Sequence, residues 1–260
     1  MLILILLPMA FLLPSGTGAG EIIGGHEAQP HSRPYMAYLA IWHGNNSSFC
    51  GGFLVAKNFV LTAAHCNGDK IIVVLGAHNI TKNESSQQVI PVRCQHPHQD
   101  YDKESHNNDI MLLELESKAS LNGDVGLIPL PVAHQQMPPG NVCSVAGWGR
   151  TSAYNNLSSD TLQEADVEVM PDSACPRNRR GIYHDYNPST MIDARGAAKI
   201  CSLSVSCSIS QGDSGGPLVC QQTAQGIVSW GSEMGTPPAV YTRVSTFIPW
   251  IRKTMRMLQP

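Results

Sequence analysis

Gly212-Asp213-Ser214-Gly215-Gly216-Pro217 is the stretch on which the reading of this 260-residue chain turns. A serine hydroxyl is a poor nucleophile at neutral pH and needs a base beside it. Glycines around it let the chain turn sharply and present backbone N–H groups, so the amides of Gly212 and Ser214 can both point at one developing oxyanion. Losing one such donor costs about 2.7–4 kcal/mol of transition-state stabilisation. A base and a group to orient it stand upstream: His65 in Thr62-Ala63-Ala64-His65-Cys66, and Asp109 in Asn108-Asp109-Ile110-Met111-Leu112-Leu113. An imidazole titrates near neutrality, and a carboxylate at the edge of an apolar strand can hold its Nδ1–H. Singly, His65 reads as a structural histidine and Asp109 as a loop-end carboxylate. In the chain order His…Asp…Ser they read together as a catalytic triad.

Working outward, short β-rich runs recur between Gly, Pro and Asn breaks, at 36–42, 52–55, 71–75, 88–93, 110–115, 142–146, 163–169, 217–220, 226–230 and 239–244. Such spacing predicts an all-β barrel set or sandwich. Ser120 to Pro131 is the candidate linker, broken by Gly123, Pro129 and Pro131. Only the last stretch predicts a helix, capped by Ser245, with Phe247, Ile251 and Met255 on one face and Pro249 in the first turn, where its missing N–H costs least.

These motifs, with Ile22-Ile23-Gly24-Gly25, Cys50-Gly51-Gly52, Ala146-Gly147-Trp148-Gly149, Pro217-Leu218-Val219-Cys220 and Ser229-Trp230-Gly231, make the chain similar to chymotrypsin-family serine proteases from Ile22 to the last helix. The resemblance implies two six-stranded antiparallel β-barrels, about 22–123 and 124–260 with the C-terminal helix, and an active site between them. His65 and Asp109 would come from the first barrel and Ser214 from the second. Ser229 would hydrogen-bond Asp109, and the backbone of Ser229, Trp230 and Gly231 would pair with an extended peptide substrate as an added strand. A freed Ile22 α-amino group would pair with Asp213 and order the oxyanion loop. A buried carboxylate stripped of its cation costs roughly 3–5 kcal/mol, so the unprocessed chain is expected to be inactive.

Residues 2–13 are apolar apart from Pro8 and run into small residues, with Thr17 and Ala19 set for cleavage after 19; the segment lacks Lys or Arg near Met1. It reads as a secretory leader, being well short of the roughly 20 residues a membrane anchor needs. Gly20 and Glu21 then form an activation dipeptide, unless the leader itself ends at Glu21. A two-residue, acidic-ended propeptide resembles the granzyme, mast-cell chymase and cathepsin G branch, which implies trimming by a dipeptidyl peptidase and storage in secretory granules. An oxidising compartment lets cysteines pair. The resemblance pairs Cys50 with Cys66, Cys143 with Cys220 and Cys175 with Cys201, and leaves Cys94 and Cys207 unpaired, a mutual bridge being the alternative. The bridge that many relatives carry beside the pocket is absent, Ser210 standing in its place. Asn45, Asn46, Asn79, Asn83 and Asn156 begin glycosylation sequons.

By the same resemblance Ser208 forms the floor of the specificity pocket with Ile209 beside it, and Gly231 and Ala239 line its walls. No floor carboxylate selects Arg or Lys, so cleavage after Phe, Tyr, Leu or Met is expected. Asp193 to Lys199 is read as an insertion near that pocket. The formal charge of −3, or −2 once Glu21 is removed, provides no drive towards nucleic acid or anionic membrane. The basic clusters Arg177, Arg179, Arg180 and Arg252, Lys253, Arg256 read as solvated patches. No cofactor is expected, and no metal: the ten histidines are scattered, and His96-Pro97-His98 alone makes no site. His106 is read as an exposed loop residue. A monomer acting on protein or peptide substrates and open to serpin-type inhibitors is the expectation. The competing one is a catalytically silent, protease-shaped binding protein.

Overall fold

The computed structural model describes residues 25–150, 157–174, 183–196, 212–231 and 239–258. The leader, the activation dipeptide, Ile22, the pocket residues Ser208 and Ile209, Cys175, Cys201 and Cys207 lie outside the described residues. No described helix is long and apolar enough to cross a membrane.

The first barrel is closed by β2 (Met36–His43), β3 (Asn46–Ala56), β4 (Phe59–Thr62), β7 (Met111–Leu115), β6 (Gln88–Pro97) and β5 (Lys70–Leu75), in that order. Alternation along these strands sends Leu39, Phe53, Leu61, Val73, Leu75 and Leu113 inside, all without exposure. The second barrel is a ring of β9 (Gln163–Val169), β10 (Met191–Gly196), β13 (Ala239–Arg243), β12 (Thr223–Trp230), β11 (Pro217–Cys220) and β8 (Val142–Gly147), closed by β8 on β9. The short β1 (His26–Glu27) crosses over to pair with β9. Val145, Val167, Ile192, Leu218 and Tyr241 fill this second core. Two closed six-stranded antiparallel barrels are thus present, with no strand between β7 and β8, where the linker was expected.

Helix α1 (Val244–Leu258) buries Phe247, Ile248 and Ile251 in the cluster that holds the first barrel's core. Two expectations for it are corrected. Ser245 lies inside the helix, where its hydroxyl donates to the Gln135 carbonyl at 2.7 Å. Pro249 is the sixth helical residue, beyond the first turn. Its missing N–H frees the Ser245 carbonyl one turn back, and the His134 amide takes that acceptor at 2.9 Å.

Asp193 to Gly196 is the described part of the segment expected as an insertion near the pocket. These residues are strand β10, with Asp193 opposite Val240 and Arg195 opposite Glu168. Cys50–Cys66 and Cys143–Cys220 are bridged as expected, and Cys94 is free and exposed. Asn79 is buried, its side-chain oxygen accepting from Thr81 and Lys82.

Candidate active site

Strand β4 ends in the short helical turn Ala64–Cys66, which the Cys50–Cys66 bridge ties back to β3 and which presents His65. Asp109 lies just before β7 with no exposure. Its Oδ2 is 2.7 Å from His65 Nδ1, and its Oδ1 accepts the His65 backbone N–H at 2.9 Å. The second barrel reaches across to the same carboxylate. Ser229 Oγ donates to Oδ2 at 2.5 Å, and Thr242 Oγ1 donates to the Asp109 backbone carbonyl at 2.7 Å. Ser229 is re-aimed by a bulge: β12 pairs Val228 with Tyr241 and Trp230 with Val240, leaving Ser229 unpaired between them. Burial works to raise the Asp109 pKa, but the bonds and charge of His65 and the bond from Ser229 outweigh it, and the carboxyl sits below the usual range.

The Ser214 turn docks at the seam between the barrels. Gly51 of β3 donates to the Ser214 carbonyl at 2.7 Å, while Gly215 N–H bonds Val228 of β12 at 2.8 Å. Gly215 has φ +82°, and a Cβ there would lie 2.1 Å from Thr62 Oγ1, in the segment leading to His65. Gly212 has φ +105°, and a Cβ would strike the Phe49 ring at 2.4 Å. Asp213 is buried, its carboxylate accepting from Gly149 at 2.9 Å. Gly231 and Ala239 face each other, a Cβ on the former falling 3.9 Å from that of the latter.

A trypsin family model matches residues 22–251. The chain belongs to the trypsin family of serine proteases. Mast cell protease 3 of Ovis aries is 51% identical over 255 residues, covering 98% of this chain and 97% of that protein. Granzyme B of Homo sapiens is 50% identical over 252 residues, covering 97% and 98%. A solved structure described as Structure of GrC superposes with a TM-score of 0.80 at 44% identity, over 90% of this chain and 99% of that one. The protein is therefore a serine endopeptidase of the granzyme, chymase and cathepsin G branch, a hydrolase acting on protein substrates.

Within this trypsin-family site two groups escaped the sequence reading. His106 is not an exposed loop residue. It is half-buried with φ +54°, its ring 6.3 Å edge-on from His65 and stacked at 6.2 Å on Trp230, which leans on Tyr183. Burial first, and the charge of His65 second, push its pKa below the ordinary histidine value against the pull of Asp109. Its place three residues before Asp109 was the available signal. Thr242 carried none, because the turn of chain that brings β13 to Asp109 exists only in three dimensions.

Proposed function

We propose that the enzyme cuts peptide bonds through an acyl-enzyme on Ser214, with a preference for Phe, Tyr, Leu or Met before the cut. The observation that carries this is the bonded run Ser229–Asp109–His65, ending beside the docked Ser214 turn. Asp109 holds the Nδ1–H of His65, leaving Nε2 as the base. His65 takes the Ser214 proton as Oγ attacks the carbonyl carbon, then returns it to the leaving amine. The amides of Gly212 and Ser214 receive the oxyanion. Ser229, Trp230 and Gly231 align the substrate, and Ser208, Ile209, Gly231 and Ala239 shape the pocket. The Gly231–Ala239 contact supports a narrow apolar wall.

Residues 1–19 act in this reading as leader and 20–21 as the dipeptide a dipeptidyl peptidase removes. Residues 22–260 remain as the peptidase, with Ile22 paired to Asp213, a third bridge Cys175–Cys201, and storage in secretory granules under serpin-type control. A peptide library spanning the residue before the cut, profiled on enzyme starting at Ile22, tests the specificity. Turnover after Phe or Leu is expected, and efficient cleavage after Arg with none after Phe or Leu overturns it. Labelling by a serine-directed fluorophosphonate, lost in Ser214→Ala, separates this reading from a silent binding protein.

A further inference from the structure

Strand β6 carries a second cluster of chemistry on the outer face of the first barrel. Residues two apart on a strand share a face, so Cys94 and His96 point the same way. Glu114 of β7 is the register partner of Cys94. Thus His96-Pro97-His98 makes no site along the chain, but pairing with β7 adds what the chain lacks. The Cys94 thiol, a His96 ring nitrogen and a Glu114 carboxylate oxygen all lie within 4.8 Å of one another. His96 Nε2 is buried without a hydrogen-bond partner among the described residues, 3.7 Å from Glu114 Oε2. Arg93 bonds the other oxygen, Oε1, at 3.3 Å, which leaves Oε2 for the cluster. A second grouping, Cys50, His65 and Cys66, has no thiolate to offer because its cysteines are bridged.

We propose that Cys94, His96 and Glu114 bind a borderline-soft divalent metal ion of the Zn²⁺ class. Sulfur, imidazole nitrogen and a carboxylate oxygen form a zinc-type donor set, whereas Ca²⁺ and Mg²⁺ require oxygen shells. Bonds of about 2.0–2.3 Å around a tetrahedral ion bring ligand atoms to about 3.3–3.8 Å from one another. His96 Nε2 and Glu114 Oε2 already stand 3.7 Å apart, so any remaining contraction falls on the exposed Cys94 side chain. Binding displaces the thiol proton to solvent and leaves the fourth position to water. The ion would clip β6 to β7 and thereby steady the strand that follows Asp109.

The test titrates the full secreted chain with Co²⁺ and then Zn²⁺. One equivalent of Co²⁺ should produce thiolate-to-metal charge-transfer absorption in the near ultraviolet, discharged by Zn²⁺. Cys94→Ser should abolish that band, and both Cys94→Ser and His96→Gln should weaken Zn²⁺ by at least about tenfold. Cys94 is exposed, so its substitution leaves the metal-free melting temperature in place and the loss cannot be blamed on unfolding. Co²⁺ binding without the sulfur band, unchanged Zn²⁺ affinity in Cys94→Ser, or Cys94 capped by another thiol in the secreted protein overturns the proposal.

Discussion

The Asp109 carboxylate is gripped from both barrels, and its titration follows from that grip. Because its folded pKa is depressed, it contributes stability that is present above the ordinary Asp range and lost as pH falls through the lowered value. Ser229→Ala removes one donor, so the folded pKa rises and acid unfolding begins at higher pH. A hydrogen bond to a charged group is worth about 1.5–3 kcal/mol, which sets the size of the loss near neutrality. An acid-unfolding titration of both proteins checks it. Asp109→Asn should lower kcat by about 10⁴-fold, the magnitude typical of such triads, with the tautomer of His65 no longer enforced. His106 and His98 act in the same direction, in a higher pH window. Burial lowers the pKa of each, so the unfolded chain binds protons that the fold refuses, and stability falls as pH drops below the ordinary histidine range. His106→Gln should therefore lose less stability between neutral and mildly acid pH than the native chain. An equal or steeper loss, measured by denaturant unfolding across that range, counts against this account.

Elements carry the site by close approach. Gly215 is where the Ser214 turn touches the strand that leads to His65, and no side chain fits 2.1 Å from Thr62 Oγ1 at φ +82°. Gly215→Ala should cost about 2–4 kcal/mol and most of the activity, because the turn must withdraw from the seam. Thermal unfolding beside a peptidase assay reads both. Pro249→Ala should do little. A proline within a helix ordinarily costs about 3 kcal/mol, yet here the orphaned Ser245 carbonyl already has the His134 amide. A gain under about 1 kcal/mol is expected, within about 2–4 °C in melting temperature. Most strands were legible because their apolar runs lie between turn residues. Strand β10 was not: Asp193 and Arg195 break its pattern, and the buried Asp193 carboxylate accepts from the Tyr186 hydroxyl at 3.0 Å. Strand β4 was too short to stand out from the alanines that follow it. The pairing of His65 with Asp109 was readable from their motifs, whereas the place of His106 depended on its stacking against Trp230, a contact from the other barrel.

At the scale of the whole molecule the question is what couples two separately closed barrels. Each barrel has its own bridge, Cys50–Cys66 in the first and Cys143–Cys220 in the second, so neither disulfide spans the seam. Arg33 does. Leading into the first barrel, it places Nε 2.6 Å from Glu164 of β9 and Nη1 3.0 Å from Ser144 of β8. Both side chains of the pair are mostly covered, at 16% and 19% exposure, so solvent screens them only in part. Arg33→Met leaves the Glu164 carboxylate without its cation and should cost about 1–3 kcal/mol, below the 3–5 typical of a fully buried pair. Arg33→Met with Glu164→Leu should recover most of that, since the stranded charge is gone. Calorimetry at one scan rate decides it. The native chain should unfold in a single transition, Arg33→Met should separate or lower it, and the double variant should restore it. Additive losses from the two substitutions would mean that Arg33 and Glu164 act independently, and that the seam is held by the apolar contacts of α1 and β12 with the first core instead.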